Sequence, residues 1–406
     1  LFLIIELAAR SKCTARRGLD VGGAYLYGDA KAAHMMRIPK RAAAIMVAKR
    51  PELAKYLDKD GCFTVGLLKT LYGLKEAGRV WYELVRDVLL EGGLQQSSID
   101  KCLFFSRDDD GGYLWVLLYV DDMLMFSDDD KTIDKLEELL RSHFSEITVK
   151  TGDNISFLGL QIMIDAEGNH KVAQSNYLKS IITEQGITET AATPATADLM
   201  RAREDSDGPC DSKLYYSLTM KLMYAAVRTR PDILYAITIL AGRVKDLTDH
   251  DMECLKHVLC YLNGTLDEGL VYFSNGVWDP HMSVDASFNH HFDAKGHSGF
   301  VIFACIGSAG ILFKSMKQKA VANSSCESEL ISLHEAVLYL KWVIAIYREL
   351  GTAPDGPVKV LQDNKAAIQL SSHDPVNFKG RSKFINRLYF SVYEEVADGT
   401  VVLVYQ

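Results

Sequence analysis

Eight cysteines are scattered along the chain (Cys13, Cys62, Cys102, Cys210, Cys254, Cys260, Cys305, Cys326), with no C-x-x-C pair and no Cys/His array at zinc spacing. That absence excludes a zinc-finger module and leaves reduced, mostly buried thiols in an intracellular protein as the expectation. Long apolar runs are also missing. The opening Leu1-Phe2-Leu3-Ile4-Ile5 is broken by Glu6 and lacks the basic flank of a signal peptide, and no other stretch reads as long enough to span a bilayer. Basic residues are not in excess: 45 Lys and Arg stand against 53 Asp and Glu, for a net charge of -8. This argues against a dedicated basic nucleic-acid module. It does not exclude a phosphate-handling enzyme, which needs only a local basic groove beside clustered acids. Short internal repeats and low-complexity tracts are absent as well.

What is present is the material of ordinary cores, with 48% hydrophobic residues in 406, enough for two or three domains. In the first part, Leu19 to Leu26 is strand-like and Ala77 to Leu90 helical. Tyr113 to Val120 and Met123 to Phe126 read as a hairpin with Asp121-Asp122 at its tip. Thr132 to Phe144 carries Ile133, Leu136, Leu139 and Leu140 at helical spacing, and Ile155 to Ile164 returns to strand character. Thr188 to Ser212, rich in Ala, Thr, Asp, Gly and Pro, reads as a surface connection. Tyr215 to Leu262 is helical with an interruption at Arg230-Pro231.

The last part predicts strands near Met282 to Val284, Gly299 to Ala304, Ala309 to Lys314 and Val358 to Leu361, with a long helix from Ser325 to Leu350 and a shorter one from Lys365 to Leu370. The expected fold class is α/β (α+β), ending in a mixed sheet with helices packed on it. The first residue is Leu1, and the chain stops inside the apolar run Thr400 to Tyr405, so both ends read as cut.

Two sets of acids bear on chemistry. Asp20, in Leu-Asp-Val, and Asp121-Asp122, in Tyr-Val-Asp-Asp, belong to strand-like segments. Acids at a hairpin tip are ordinary turn chemistry, and Asp108-Asp109-Asp110 and Asp128-Asp129-Asp130 fit that description. Asp121-Asp122 differs, because apolar residues flank it directly on both sides and two unpaired charges would enter a largely buried hairpin. A pair of magnesium ions about 4 Å apart, as used in nucleotidyl transfer, needs such hard oxygen ligands on rigid elements and removes the difficulty.

The second set is Asp285 at a strand end, Glu329 near the start of the long helix, and Asp363 at the end of another strand. Capping explains some of these acids equally well, since Asp363-Asn364 precedes a helix and Ser324-Ser325 stands before Glu327. Helical spacing aligns Glu329 with Leu333, Ala336 and Leu340, on the face expected to pack on the sheet, whereas Glu327 points about 200° away. His290-His291 with Asp293 lacks helical ligand spacing and reads as an exposed loop. Arg79 and Tyr82 offer charge and stacking to nucleic acid, and Trp81 reads as core. Arg381, Lys383 and Arg387 form either a phosphate stripe or a solvated basic face.

A family resemblance enters through ordered motifs. Leu19-Asp20-Val21 with Ala24-Tyr25-Leu26-Tyr27-Gly28-Asp29, Leu71-Tyr72-Gly73-Leu74-Lys75-Glu76-Ala77-Gly78-Arg79-Val80-Trp81-Tyr82, Tyr119-Val120-Asp121-Asp122 and Phe157-Leu158-Gly159-Leu160 resemble successive motifs of copia-type LTR retrotransposon reverse transcriptases. Gln174-Ser175-Asn176-Tyr177-Leu178, Leu222-Met223-Tyr224-Ala225, Thr229-Arg230-Pro231-Asp232-Ile233 and Tyr261-Leu262-Asn263-Gly264-Thr265 resemble the segment leading to the family's ribonuclease. Val284-Asp285-Ala286-Ser287, Lys317-Gln318-Lys319, Ser324 to Leu330, Gln362 to Ile368 and Arg381-Ser382-Lys383 resemble its ribonuclease H order. One such motif alone says little; their shared order carries the weight.

The resemblance implies a truncated reverse transcriptase palm with partial fingers over 1–170, a helical thumb or connection over 171–275, and a ribonuclease H-like domain over 276–406. It implies RNA-directed DNA polymerase and ribonuclease H activities on an RNA template, a DNA primer, an RNA-DNA hybrid and deoxynucleoside triphosphates. Two Mg2+ or Mn2+ ions per site would sit on Asp20, Asp121 and Asp122, and on Asp285, Glu329 and Asp363. Lys75, Glu76, Arg79, Arg381 and Lys383 fall where nucleotide or nucleic acid is contacted. No membrane partner is implied; other polyprotein products and cytoplasmic particles with nuclear access are. The family's fingers strands before Asp20 and its fourth ribonuclease carboxylate lie outside the sequence. Glu76 and Gly78 replace a usual Gln and Pro, and Glu76 would bring a negative charge toward a triphosphate. These departures favour the rival reading, a catalytically decayed relic that binds nucleic acid at most.

Overall fold

The computed structural model describes residues 1–13, 15–107, 112–204, 206–243, 247–372 and 383–406, apart from the side chains of 383–387 and 389. The chain forms two compact units. One comprises Ala15–Gln96 with Lys101–Lys150, and the other Leu1–Thr14, Ser97–Asp100 and Thr151–Gln406.

The first unit is built on an antiparallel six-stranded sheet, in the spatial order Gln95–Gln96, Leu103–Arg107, Tyr113–Tyr119, Asp122–Ser127, Ala15–Val21 and Ile147–Lys150. The helix Asp130–His143 lays Ile133, Leu136 and Leu140 on this sheet, and Ala77–Glu91 adds Trp81, Val85, Val88 and Leu89. Both obey the three-and-four spacing of an amphipathic helix. Their partners are Leu19, Val21, Phe104, Val116, Met123 and Met125, all buried. A two-stranded ribbon, Asp29–Ile38 with Phe63–Lys69, carries the helix Lys40–Lys49.

The strand expected over 19–26 is displaced. It runs Ala15–Val21 and ends because Gly23 takes a left-handed conformation (φ 64°), after which Ala24–Leu26 is a 3-10 turn.

In the other unit, an antiparallel sheet orders Leu270–Tyr272, His170–Ala173, Leu160–Ile164 and Asn154–Phe157. The single strand expected over 155–164 is therefore two, parted where Leu158 and Gly159 both have positive φ (51° and 72°). Helices Ser175–Glu184, Ser212–Ala226, Leu234–Ala241 and Asp249–Gly264 follow, with the expected break at Pro231.

A five-stranded mixed sheet comes last, in the order Leu312–Lys317, His297–Ile306, Val277–Ser287, Val358–Gln362 and Val401–Tyr405. The first three pair antiparallel and the last two add in parallel. The helix Ser325–Glu349 covers one face of this sheet, burying Leu330, Leu333, Ala336, Val337 and Leu340. It is long and apolar enough by length and composition to cross a membrane, contrary to the sequence expectation. Its apolar surface is instead largely spent on the sheet, as a core helix requires.

Phe2–Arg10 is a helix that the sequence pattern did not announce, with Leu3 to Ala9 all buried. Its Glu6 is only 2% exposed, yet it is satisfied by Arg10 Nε at 3.2 Å, Cys305 Sγ at 3.2 Å and Tyr347 Oη at 3.1 Å. Thiol burial is less general than expected: Cys13, Cys62 and Cys305 are buried, Cys102 is exposed, and the other four are intermediate.

Candidate active sites

In the first acid group, strand register does the positioning. Asp20 on Ala15–Val21 lies directly opposite Asp122 on the neighbouring antiparallel strand. Asp121 occupies the turn before Asp122, so it escapes the alternation that would send adjacent strand residues to opposite faces. The turn is held from two sides. Val21 N–H donates to Asp121 O at 3.0 Å, and the indole N–H of Trp81 donates to Val120 O at 2.6 Å.

Val120 needs holding, because it is β-branched and has φ 56°, a costly conformation for such a residue. Trp81 is 1% exposed, so it belongs to the core as expected and grips the turn as well. One carboxylate oxygen from each of Asp20, Asp121 and Asp122 lies within 4.8 Å of the others. The acids are half-buried, and Tyr119 and Val120 at the tip are exposed, so the hairpin end is more open than the flanking apolar residues suggested. Burial raises the Asp122 pKa, and the charges of Asp20 and Asp121 add to this, while Lys150 opposes them. Lys150, on the strand beside Ala15–Val21, has no local sequence signal that would have marked it.

The second group draws on three elements. Asp285 lies near the end of Val277–Ser287, Glu329 in the second turn of Ser325–Glu349, and Asp363 just after Val358–Gln362. The parallel pairing of the two strands brings the aspartates to one sheet edge, and again one oxygen from each acid lies within 4.8 Å of the rest. Ser332 Oγ–H donates to Asp285 O at 3.0 Å, fastening helix to strand.

Glu329 is 5% exposed and accepts from Gln362 Nε2 at 3.2 Å. Burial pushes its pKa up to about 7, with the charges of Asp285 and Asp363 raising it further and the Gln362 hydrogen bond opposing. Glu327, expected to point away, is equally buried, but it serves the helix start by accepting from Asn323 N and Nδ2 at 2.7 and 2.9 Å. A cavity of about 410 Å³ opens beside Asp285 and Asp363, with Gly299, the cross-strand partner of Asp285, on its wall.

The remaining candidates scatter. Lys75 is exposed; Arg79 is exposed and 3.9 Å from Glu83. Glu76 stands at the N-cap of Ala77–Glu91, where a negative charge is favourable, and its Oε1 is 2.6 Å from His34 Nε2. Gly78 occupies the first helical turn, the place where a proline is also tolerated. Arg381 and the side chains of Lys383 and Arg387 fall outside the described residues.

His290, His291 and Asp293 do lie in a loop, with Asp293 held by Lys317 at 2.9 Å and Lys295 at 3.3 Å, which lowers its pKa to about 2. The loop is less open than expected, because His291 Nε2 is 3.0 Å from Nδ1 of the buried His297. Tyr72, an exposed aromatic without a sequence expectation, rests its ring against Tyr25 with centroids 4.6 Å apart, and only its place between the acid-bearing segments could have marked it.

Residues 2–197 match the model of the family described as reverse transcriptase (RNA-dependent DNA polymerase). The chain is 29% identical over 395 residues to the retrovirus-related Pol polyprotein from transposon RE2 of Arabidopsis thaliana, covering 96% of the chain and 25% of that protein. It is 28% identical over 406 residues to the Pol polyprotein from transposon TNT 1-94 of Nicotiana tabacum, covering 97% and 29%. Among solved structures, the foamy viral protease-reverse transcriptase in complex with dsDNA is similar in fold, with a TM-score of 0.52 at 14% identity, covering 98% of this chain and 70% of that one.

The first part of the chain is thus similar to reverse transcriptases, and a mixed five-stranded sheet with helices packed on it follows. More particularly, the chain is similar to the Pol polyproteins of copia-type retrotransposons, and it spans about a quarter of the length of the first of these relatives.

Proposed function

We propose that the chain performs RNA-directed DNA synthesis at Asp20, Asp121 and Asp122 and cleaves the RNA strand of RNA-DNA hybrids at Asp285, Glu329 and Asp363. The observation that carries this reading is that two separate sets of three carboxylates, each assembled from distant stretches of sequence, converge within 4.8 Å. Gathering like charges so closely is costly, and a cation bound among them would offset that cost; the all-oxygen donor sets suit Mg2+ or Mn2+, two per site.

Such ions would acidify an attacking hydroxyl or water and offset charge on the leaving group. The protein's own share is to hold the acids: Trp81 and Val21 fix the Asp121 turn, and Gln362 and Ser332 fix the Glu329 corner. An RNA template, a DNA primer and deoxynucleoside triphosphates are the partners of the first site, and a hybrid duplex is the partner of the second.

Primer extension on RNA and cleavage of a labelled hybrid, each with Mg2+, test the two halves separately. Asp121→Asn abolishes extension and spares cleavage, and Asp363→Asn does the reverse. Extension indifferent to Asp121→Asn, or cleavage indifferent to Asp363→Asn, removes the corresponding assignment. Nucleic-acid binding with neither reaction would identify the relic instead.

A further inference from the structure

His290 and His291, a pair that the proposed activities leave idle, meet a third imidazole in the fold. They lie in the loop between Val277–Ser287 and His297–Ile306, and His297, which opens the second of these strands, is 5% exposed. The loop is folded tightly on itself. His290 N–H and His291 N–H both donate to Lys295 O at 3.0 Å, Ala294 N–H donates to His291 O at 2.8 Å, and Asn289 and Ala294 take positive φ (50° and 61°). Gly296, where a Cβ would run into Gln318 and Ser328, accepts from Gln318 N–H at 2.9 Å and so fixes the approach to His297.

The three rings form a triangle, with centroids 5.3 Å apart for His291 and His297, 5.4 Å for His290 and His291, and 5.9 Å for His290 and His297. A tetrahedral zinc ion with Zn–N bonds of about 2.0–2.1 Å sets its imidazole nitrogens about 3.3 Å apart and their ring centres about 5.2 Å apart. The facing nitrogens, His291 Nε2 and His297 Nδ1, stand 3.0 Å from each other. A hydrogen bond between two imidazoles needs at least one nitrogen without a proton, so a lone pair is already in place. The other nitrogen of His297 is held by Ser315 Oγ at 2.7 Å, and Nε2 of His290 by Tyr235 Oη at 2.5 Å; outer partners of this kind orient metal-bound imidazoles. Lys317 and Arg243, whose charges bear on His291, are paired with Asp293 at 2.9 Å and Asp251 at 2.8 Å, so neither stands uncompensated against an incoming cation.

We propose that His290, His291 and His297 form a Zn2+ site, with water as the fourth ligand, which clamps the loop leaving the strand that bears Asp285. His291 Nε2 and His297 Nδ1 supply two ligands, and the half-buried His290 completes the set by turning its Nδ1 toward them. The proton shared between the first two nitrogens goes to solvent when the ion binds. Nitrogen donors separate this site from the two carboxylate groups, whose oxygens suit harder ions.

The test titrates the metal-free 406-residue chain with Zn2+, in excess Mg2+ to fill the carboxylate groups and in competition with a chromogenic zinc chelator. One ion binds per chain. His290→Gln, His291→Gln and His297→Gln each weaken it at least about tenfold, the loss that even an outer partner can bring, whereas Asp285→Asn and Asp363→Asn leave it unchanged. Zinc X-ray absorption of the loaded chain shows imidazole scattering from three rings. No zinc retained in excess Mg2+, an oxygen-only shell, or binding that the aspartate variants abolish and the histidine variants do not overturns the proposal. Loss in His291→Gln and His297→Gln with His290→Gln unchanged overturns the three-ring assignment. His290 and His291 are half-buried loop residues, so their variants decide the matter should His297→Gln not fold.

Discussion

Replacing the buried acid of the second centre, Glu329→Gln, makes the metal-free protein more stable at alkaline pH. Glu329 is 5% exposed, and its carboxyl holds a proton up to about pH 7 against 4.5 for a carboxyl in water. The folded state therefore binds this proton more tightly than the unfolded state. Its stabilising share is fully present below pH 4.5 and is lost as pH rises through 7. At about 1.4 kcal/mol for each pH unit between those values, the loss is on the order of 3 kcal/mol, an upper figure for a group that relaxes when ionised. A glutamine keeps the shape and an oxygen for Gln362 but never ionises.

The difference in stability between variant and parent should be near zero at pH 5 and favour the variant by roughly 1–3 kcal/mol at pH 8, with chelator present. Amide hydrogen exchange of Val277–Ser287 and Val358–Gln362, corrected for intrinsic rates, reads it locally. Other titrating groups cancel in the difference. Mg2+ should then remove most or all of this difference, because an ion at a hundred times its Kd adds about 2.7 kcal/mol to a parent that binds it. A difference that does not change between pH 5 and 8, or a variant less stable at pH 8 without metal, refutes the argument.

Three further outcomes are expected. Trp81→Phe keeps an aromatic core residue but removes the donor to Val120 O, so it should cost about 1 kcal/mol and lower primer extension more than thermal stability; unchanged extension would mean that the Val21 contact alone holds the turn. Glu76→Gln should raise the rate of nucleotide incorporation at low triphosphate, and no gain would show that His34, at 2.6 Å, already offsets the charge. Gly269→Ala should cost roughly 1–3 kcal/mol in urea unfolding, because a Cβ there would run into the Val172 carbonyl and lie 3.0 Å from Ala173 Cβ; a variant as stable as the parent would mean that this strand edge can yield.

What was legible in the sequence had local causes. The hairpin around Asp121-Asp122 follows from two apolar runs parted by a two-acid break, and the helix Asp130–His143 from Ile133, Leu136 and Leu140. Glu329 was separable from Glu327 because one helix face continues into Leu333, Ala336 and Leu340. That both glutamates are buried was not foreseeable, since Glu327 is covered by the cap it makes with Asn323.

Phe2–Arg10 escaped notice because a helix buried nearly all round has no polar face to reveal its period. The break at Leu158-Gly159 depends on a left-handed leucine, which no propensity favours. Pairings across long stretches were beyond local reading. These include the parallel ladder between Val277–Ser287 and Val358–Gln362, the approach of His34 to Glu76, and the effect of Lys150 on Asp122.

The two centres have the same number of acids but differ in how their charge is managed. Asp20, Asp121 and Asp122 are half-buried, and Lys150 offsets part of the burden on Asp122, so solvent and one cation share the load. Asp285 and Asp363 are exposed, but Glu329 is buried against them and sheds part of the charge by keeping its proton to near neutrality. A divalent ion bound there would have to displace that proton before the third carboxylate could serve, so on the proposed reading proton and metal would compete near neutral pH. The same burial that makes Glu329 costly without metal makes its electrostatic attraction stronger once an ion arrives, because little water screens the pair. On the proposed reading, cation and fold would therefore be linked more tightly at the second centre than at the first, through the one side chain of Glu329.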